Sequence, residues 1–334
     1  MFTLSQLLTF DKSLKLTNSS TGNITVEGIC IAENLQDHKI LFIKDEKYLK
    51  SFLAARTTQK PIVITSEKVA LLLSSNDVSA ILISGDVQLS MCQISKPFYN
   101  KKFNDLNDVV DGRQMGTVSV HPTALIAQNV FIGENVEISS DVKIHSGCVI
   151  MSGCKIAEGS ILFPNVTLYP FSTIGKNCRL HSGVVIGADG FGYHFSEGVH
   201  HKIWHIGDVK IGDEVEIGSG STIDRGAFID TEIGSGSKID NQVQVGHNSK
   251  LGKGVILCGQ VGLSGSAKLS DYVVCGGKAG IGPDVELGVG VQVAGNGMVT
   301  GDWPAGAQVA GHPARPVKEW LRGVAAVRKL IEKK

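Results

Sequence analysis

Ten histidines are the side chains of this chain best suited to move a proton near neutral pH. One of them has a setting unlike the others. His247 lies in the stretch IDNQVQVGHNSK (239–250), with Gly246 before it and Asn248 after it. Asp240, Asn241, Gln242 and Gln244 stand close by in sequence. Amide and carboxylate groups at that density can orient an imidazole and a polar ligand. A neutral imidazole is a natural base to take a proton from an attacking amine or hydroxyl. His200, His201 and His205 fall within six residues of one another. No carboxylate or cysteine completes a metal-ligand spacing beside them, so they read as a loop touching ligand or a neighbour, and no metal is expected. His121, His145 and His181 each follow an aliphatic residue, and His38 and His312 stand apart.

Other chemistries lack their motifs. There is no GxSxG elbow, no phosphate-cradling GxxxxGK[ST] loop and no dinucleotide fingerprint between a strand and a helix. Direct attack assisted by one base needs the least machinery. Seven cysteines form no CxxC pair, and their odd number argues against a disulfide framework and for a reducing compartment. Lysine plus arginine and aspartate plus glutamate both total 32, so no overall field draws the chain to nucleic acid or membrane. No apolar run approaches the roughly 20 residues that span a bilayer, and the first residues carry no leader signature, so a soluble cytoplasmic protein is expected.

The elements that must position His247 are written in a repeat. From Val120 to Ile186 an aliphatic residue returns every six positions, and the register resumes at Ile211, Ile217, Ile223 and Ile229. After a four-residue step it holds from Ile233 to Val299, giving twenty-eight anchors. A small or β-branched residue follows four positions after most anchors, and Cys148, Cys154 and Cys178 sit in that column. Six residues suit one short strand and a corner. Three hexads make a triangular coil, and about nine coils at the ~4.8 Å strand spacing make a prism roughly 45 Å long. The expected layout is a small α/β domain over 1–100, a connection over 101–117, the prism over 118–302 and a helical extension over 303–334. A loop is thrown out of the prism at about 187–207. In the extension, Trp320, Val324, Val327 and Ile331, joined by Leu321 and Leu330, form an apolar stripe, and seven basic residues stand against two glutamates from Arg315 onwards. Such a stripe needs a cover, most simply symmetry mates, and the basic face suits an acidic partner.

The hexads resemble the left-handed parallel β-helix of the hexapeptide-repeat acyltransferases. More narrowly, IGADGFGY (186–193), STIDRGAFIDTEIG (221–234), KIDNQVQVGHN (238–248) and GQVGLSGS (259–266) resemble, in that order, the UDP-3-O-(3-hydroxyacyl)glucosamine N-acyltransferases of lipid A synthesis. The resemblance implies a mainly β fold: a left-handed parallel β-helix with an N-terminal uridine-binding α/β domain and a C-terminal helix. It implies transfer of a 3-hydroxyacyl chain from the phosphopantetheine arm of acyl carrier protein to the glucosamine 2-amine, with no other cofactor. It implies a homotrimer with sites between parallel prisms, a UDP-sugar substrate and His247 as the catalytic base; Asp240, Asn241 and Gln244, read from their place beside His247, are the expected substrate contacts. In the N-terminal domain the family's F-x-x-N-x-x-Y uracil pattern is matched by Phe42 and Tyr48, but Asp45 stands where the amide is expected. A carboxylate only accepts hydrogen bonds, so the pairing changes or the domain grips its ligand otherwise; two core aromatics are the alternative reading. Near GGKAGIGPDVELG many relatives carry a second histidine, and this chain has Pro283 and Asp284. Other readings of the same prism are a nucleotide-sugar acyl- or acetyltransferase using coenzyme A, a metal hydratase with inter-subunit histidines, and a purely structural β-helix.

Overall fold

A computed structural model of the chain describes residues 1–17, 24–55, 58–74, 76–311 and 316–332. His312, Arg315, Lys333 and Lys334 lie outside the described residues, as does the side chain of Ile331. The fold is the expected one, a hexapeptide β-helix carrying a small α/β domain and a C-terminal helix. Its body is three sheets of nine, nine and ten short parallel strands. Outside the excursion, the four-residue step and the last coil, strands pair with one three hexads further on, so Phe131–Ile132 lies beside Val149–Ile150 and Gln244–Val245 beside Gly262–Leu263. The anchors point inward and form one continuous core from Val130 to Val299. Cys148, Cys154, Cys178 and Cys275 are buried in that core, and burial pushes the thiols of Cys154 and Cys275 up to about 12, so these are packing residues rather than nucleophiles.

The corners explain much of the glycine. Three residues before most anchors the backbone adopts a left-handed conformation, as at Asn129, Asn135, Asp141, Gly147, Gly153 and Gly159. Asparagine, aspartate and glycine tolerate that region better than other residues. Glycines directly after anchors answer a different need. A Cβ on Gly175 would lie 2.4 Å from the Gly212 carbonyl oxygen of the adjoining coil.

Two expectations are corrected. Ile229 is not an anchor: it is half-buried in the bend between the strands Thr222–Arg225 and Thr231–Ile233, and Ile233 takes the core position. The prism also runs past 302, because Trp303 bridges to Leu287 and the strand Gln308–Val309 pairs with Gln292–Val293. The register that counts anchors by sixes cannot see a coil closed by the irregular GDWPAG.

The N-terminal domain is a five-stranded sheet running Lys15–Leu16, Ala80–Ile83, Ile62–Thr65, Lys39–Ile43, Gly28–Cys30, parallel except at its first pair. Both faces are covered, which is why KILFI is apolar without alternation. Ile40 and Phe42 face one core with the helix Val87–Phe103, and Leu41 and Ile43 face the other with the helix Glu46–Ala54. Helix Val87–Phe103 crosses the expected boundary at 100 and packs on the excursion from the prism.

That excursion leaves at Gly187, in the strand Val185–Asp189, where the pairing register shifts. It forms an antiparallel hairpin, Tyr193–Ser196 with Val199–Lys202, around Glu197 and Gly198, both left-handed as a two-residue hairpin turn requires. His194 Nε2 lies 2.9 Å from Asp86 Oδ2, the Trp204 N–H donates to Ser95 Oγ at 3.0 Å, and the Tyr99 and Trp204 rings are 4.9 Å apart. The hairpin is thereby fastened to the helix Val87–Phe103. No described helix is long and apolar enough to cross a membrane. The C-terminal helix Val317–Glu332 exposes Trp320, Leu321, Val327 and Leu330.

One buried cation fixes the root of the excursion. Arg225 is 2% exposed; its Nε donates to the Gly187 carbonyl at 2.6 Å and its Nη2 to the Pro170 carbonyl at 2.9 Å. Its guanidinium sits over the Phe103 ring, 4.4 Å from the centroid. Arg225→Met would keep the volume and strand both carbonyls. Unfolding in urea should show a loss of about 2–4 kcal/mol, and an unchanged midpoint would mean the carbonyls find other donors.

Candidate active site

His247 stands at a corner of the prism, two residues after the buried anchor Val245. Its backbone is held from both sides. The His247 carbonyl accepts from the Ser266 N–H at 2.7 Å, and the Asn248 side chain accepts from the Ala227 N–H at 2.7 Å. Asn248 itself takes the left-handed corner conformation, with φ 61°. The asparagine after the histidine is thus a corner residue that also ties down the bend after Arg225.

The imidazole is half-buried between two glycines. A Cβ on Gly265, eighteen positions later and so on the adjoining coil, would lie 2.6 Å from both Cε1 and Nε2 of His247. A Cβ on Gly190, from the excursion, would lie 2.5 Å from His247 Cβ and 2.8 Å from its Cδ2. The ring fits only because both neighbours lack side chains. A second imidazole completes the wall. His205 is wholly buried, its ring centroid is 5.1 Å from that of His247, and the ring planes meet at 78°.

Burial sets the protonation of both. His247 is held below its usual 6.5 chiefly by desolvation, with the Asp284 carboxylate pulling it partly back up. His205 is pushed down to about 4, first by desolvation and then by His247. Both are neutral at pH 7, which suits a base that must begin with a free lone pair.

The residues singled out from sequence are not all gathered here. Asp240 and Asn241 occupy the preceding corner, where the Asp240 carboxylate accepts from the Asn241 backbone and side chain at 2.7 and 2.8 Å and Asn241 caps the Ser219 N–H at 2.8 Å. Gln244 lies on the outer sheet face; its amide donates to Asp224 at 3.0 Å, and its carbonyl oxygen closely contacts Thr222 Oγ1. None of the three orients the His247 ring within this chain. Asp45 caps the helix Glu46–Ala54, accepting from the Lys47 and Tyr48 N–H groups at 2.9 and 3.1 Å. Phe42 stacks on Phe228 at 6.0 Å in one core of the domain, while Tyr48 packs against the other and lies under Lys44. His200 and His201 stay on the hairpin's outer strand, and only His205 turns inward.

Sequence reasoning missed Gly190 and Gly265, and it named His205 only as one of three loop histidines. Asp224, which accepts from the Gln244 amide, is half-buried, and desolvation pushes its carboxyl up to about 6. Gly265 was within reach, because it stands one coil of eighteen residues after His247. Gly190 and the contact of His205 with His247 were not, since the irregular excursion that brings them has no period to count.

Residues 114–190 match the family described as the GMPPB C-terminal domain. The UDP-3-O-acylglucosamine N-acyltransferase of Pseudomonas syringae pv. syringae is 34% identical over 325 residues, covering 92% of this chain and 86% of that protein. The protein of the same name from Parvibaculum lavamentivorans is 56% identical over 167 residues, and that match spans about half of each chain, 50% and 47%. Among solved structures, the UDP-N-acetylglucosamine acyltransferase from Campylobacter jejuni is similar with a TM-score of 0.47 at 24% identity, over 58% of this chain and 72% of that one.

Two neutral buried histidines make stability depend on pH. Each has a folded value below its unfolded 6.5, so between the two values the unfolded chain binds more protons. Their contribution is complete above about pH 6.5 and is lost as the pH falls towards the folded values. For His205 the span from 6.5 to about 4 amounts to about 3 kcal/mol. Urea unfolding at pH 7 and at pH 4.5 should show that slope, and His205→Gln should flatten it.

Proposed function

The chain belongs to the UDP-3-O-acylglucosamine N-acyltransferase family, and we propose that it transfers a 3-hydroxyacyl chain from acyl carrier protein to the 2-amine of an acylated UDP-glucosamine, with His247 as general base. The observation that carries this reading is the edge of His247 set over a bare glycine. Nε2 faces Gly265, where no side chain blocks the approach of a substrate. Among the described residues the Gly265 N–H has no hydrogen-bond partner, so it is free to donate.

The chemistry follows from those two groups. The amine nitrogen attacks the thioester carbonyl carbon while Nε2 takes the proton that the nitrogen loses. Negative charge gathers on the carbonyl oxygen, and the unpaired Gly265 N–H is the candidate donor to receive it. Collapse of the tetrahedral intermediate breaks the carbon–sulfur bond, and the imidazolium returns the proton to the departing thiolate. No covalent enzyme intermediate forms and the base is regenerated. Asp284 favours the imidazolium that exists only midway, while burial restores the neutral ring at the end.

The remaining assignments rest on the family. Asp240, Asn241 and Gln244 are exposed, outside the His247 pocket of their own chain. In a homotrimer of parallel prisms, such exposed groups would reach a cleft completed by a neighbour and hold the sugar there. Phe42, Asp45 and Tyr48 are the candidates for the uridine end. The acidic carrier protein suits the C-terminal helix, whose Lys318, Arg322, Arg328 and Lys329 accompany the exposed apolar residues.

A panel of 3-hydroxyacyl carrier proteins offered with UDP-3-O-acylglucosamine tests the reading. The wild type should transfer, and His247→Ala should fall at least ~10²-fold in kcat while remaining folded. Full activity in the variant would remove His247 from the reaction. Transfer from acetyl-coenzyme A alone would favour a sugar acetyltransferase instead.

A further inference from the structure

We propose that His205 is the residue that orients the base: the ring of His247 presents its Nδ1–H to the lone pair of His205 Nε2, which leaves Nε2 of His247 free over Gly265. This rests on His247 being the base and adds a positioning residue to it.

Two unpaired nitrogens motivate the pairing. His205 Nδ1 lies 2.9 Å from the Ile203 carbonyl oxygen. A carbonyl only accepts, so Nδ1 carries the hydrogen and Nε2 is a bare acceptor. That Nε2 is buried without a partner, and so is Nδ1 of His247. A buried polar atom left unpaired is costly, and two in neighbouring rings call for a physical cause. The free acceptor and the nitrogen that can donate are complementary.

The surrounding glycines give the geometry. A Cβ on Gly190 would lie 2.8 Å from both His205 Nε2 and His247 Cδ2, so the acceptor stands on the Cδ2 side of the His247 ring. A half-turn about the Cβ–Cγ bond of His247 exchanges Cδ2 with Nδ1 and brings the donor to that side. The same half-turn exchanges Cε1 with Nε2. Both of those atoms lie 2.6 Å from the Cβ position on Gly265, so the reacting edge still faces the glycine. The roughly perpendicular rings, 5.1 Å apart between centroids, leave space for a hydrogen bond along the line of the Gly190 backbone.

The pair acts in the way an orienting group acts on any catalytic imidazole. It fixes the tautomer with the hydrogen on Nδ1, so Nε2 is always the lone-pair nitrogen. When Nε2 gains a proton, the bond to His205 becomes charge-assisted and strengthens. His205 takes no proton itself. The charged groups around the pair are few: Asp284 faces His247, and Asp189 and Lys202 face His205 with opposite signs.

Neutron diffraction from crystals of the deuterated full-length protein decides the arrangement directly. A deuteron on His247 Nδ1 aimed at His205 Nε2 is expected; a deuteron on His247 Nε2, or an Nδ1 turned away, overturns the proposal. Variants supply the consequence. His205→Leu should lower kcat about tenfold or more with little change in KM, and its acid limb should move to lower pH because the imidazolium loses its acceptor. His205→Gln, whose carbonyl oxygen can accept, should recover part of that loss. Unchanged kcat and pH profile in a folded His205→Leu protein would overturn the orienting role. Should no donor support acyl transfer, the proposed reaction fails while the neutron result still decides the histidine pair.

Discussion

A side chain on this prism is confined by the residue eighteen positions away. Strands only a few residues long, joined at tight corners, leave each coil about one strand spacing from the next. A large group at a corner can exist only where the coils around it are cut back. His247 satisfies that condition through Gly265, whose missing Cβ would otherwise stand 2.6 Å from the ring. The same bare backbone carries an N–H that has no partner among the described residues. A constraint of packing thus sets the His247 ring against an uncovered stretch of backbone.

The excursion supplies what a regular coil cannot. Repetition along one axis gives each corner only neighbours above and below, never a lateral wall. By leaving at Gly187 and returning at Val209, the chain brings Gly190 and His205 against the side of the His247 ring. The excursion is in turn held by the N-terminal domain, through Asp86 on His194, Ser95 on Trp204, and Lys102, whose Nζ donates to the Ile206 carbonyl at 2.8 Å and pairs with Asp208 at 2.6 Å. A domain expected to hold uridine is therefore also part of the scaffold behind His247, and its helix Val87–Phe103 touches the prism as well, through Phe103 beneath Arg225.

Electrostatics in this corner are dominated by burial rather than by charge pairs. Desolvation is the largest influence on His247, His205 and Asp224 alike. It keeps both imidazoles neutral and leaves a carboxyl group nearby titrating close to neutrality. Asp284, exposed two coils beyond His247, is the carboxylate that works against burial at this ring. Its own φ of 58° marks the left-handed corner position that aspartate accepts. A residue suited to a corner can in this way also shift a neighbouring imidazole.

The aliphatic register determined by itself that the chain would make a triangular prism, where its interior lay and where it would be interrupted, because a six-residue period admits few other backbones. His247 stood out for the same reason: the repeat has no need of it. The six-residue count ran one step too far at Ile229, and nothing periodic described the last coil or the boundary of helix Val87–Phe103; those were the points at which the structure differed. Only tertiary structure decided that Asp240, Asn241 and Gln244 look away from their own histidine while His205, forty-two positions before it, lies against it. Sequence spacing reports neighbours along a strand and, on a regular coil, neighbours one period away. An irregular excursion folded back by a separate domain creates contacts that neither spacing contains.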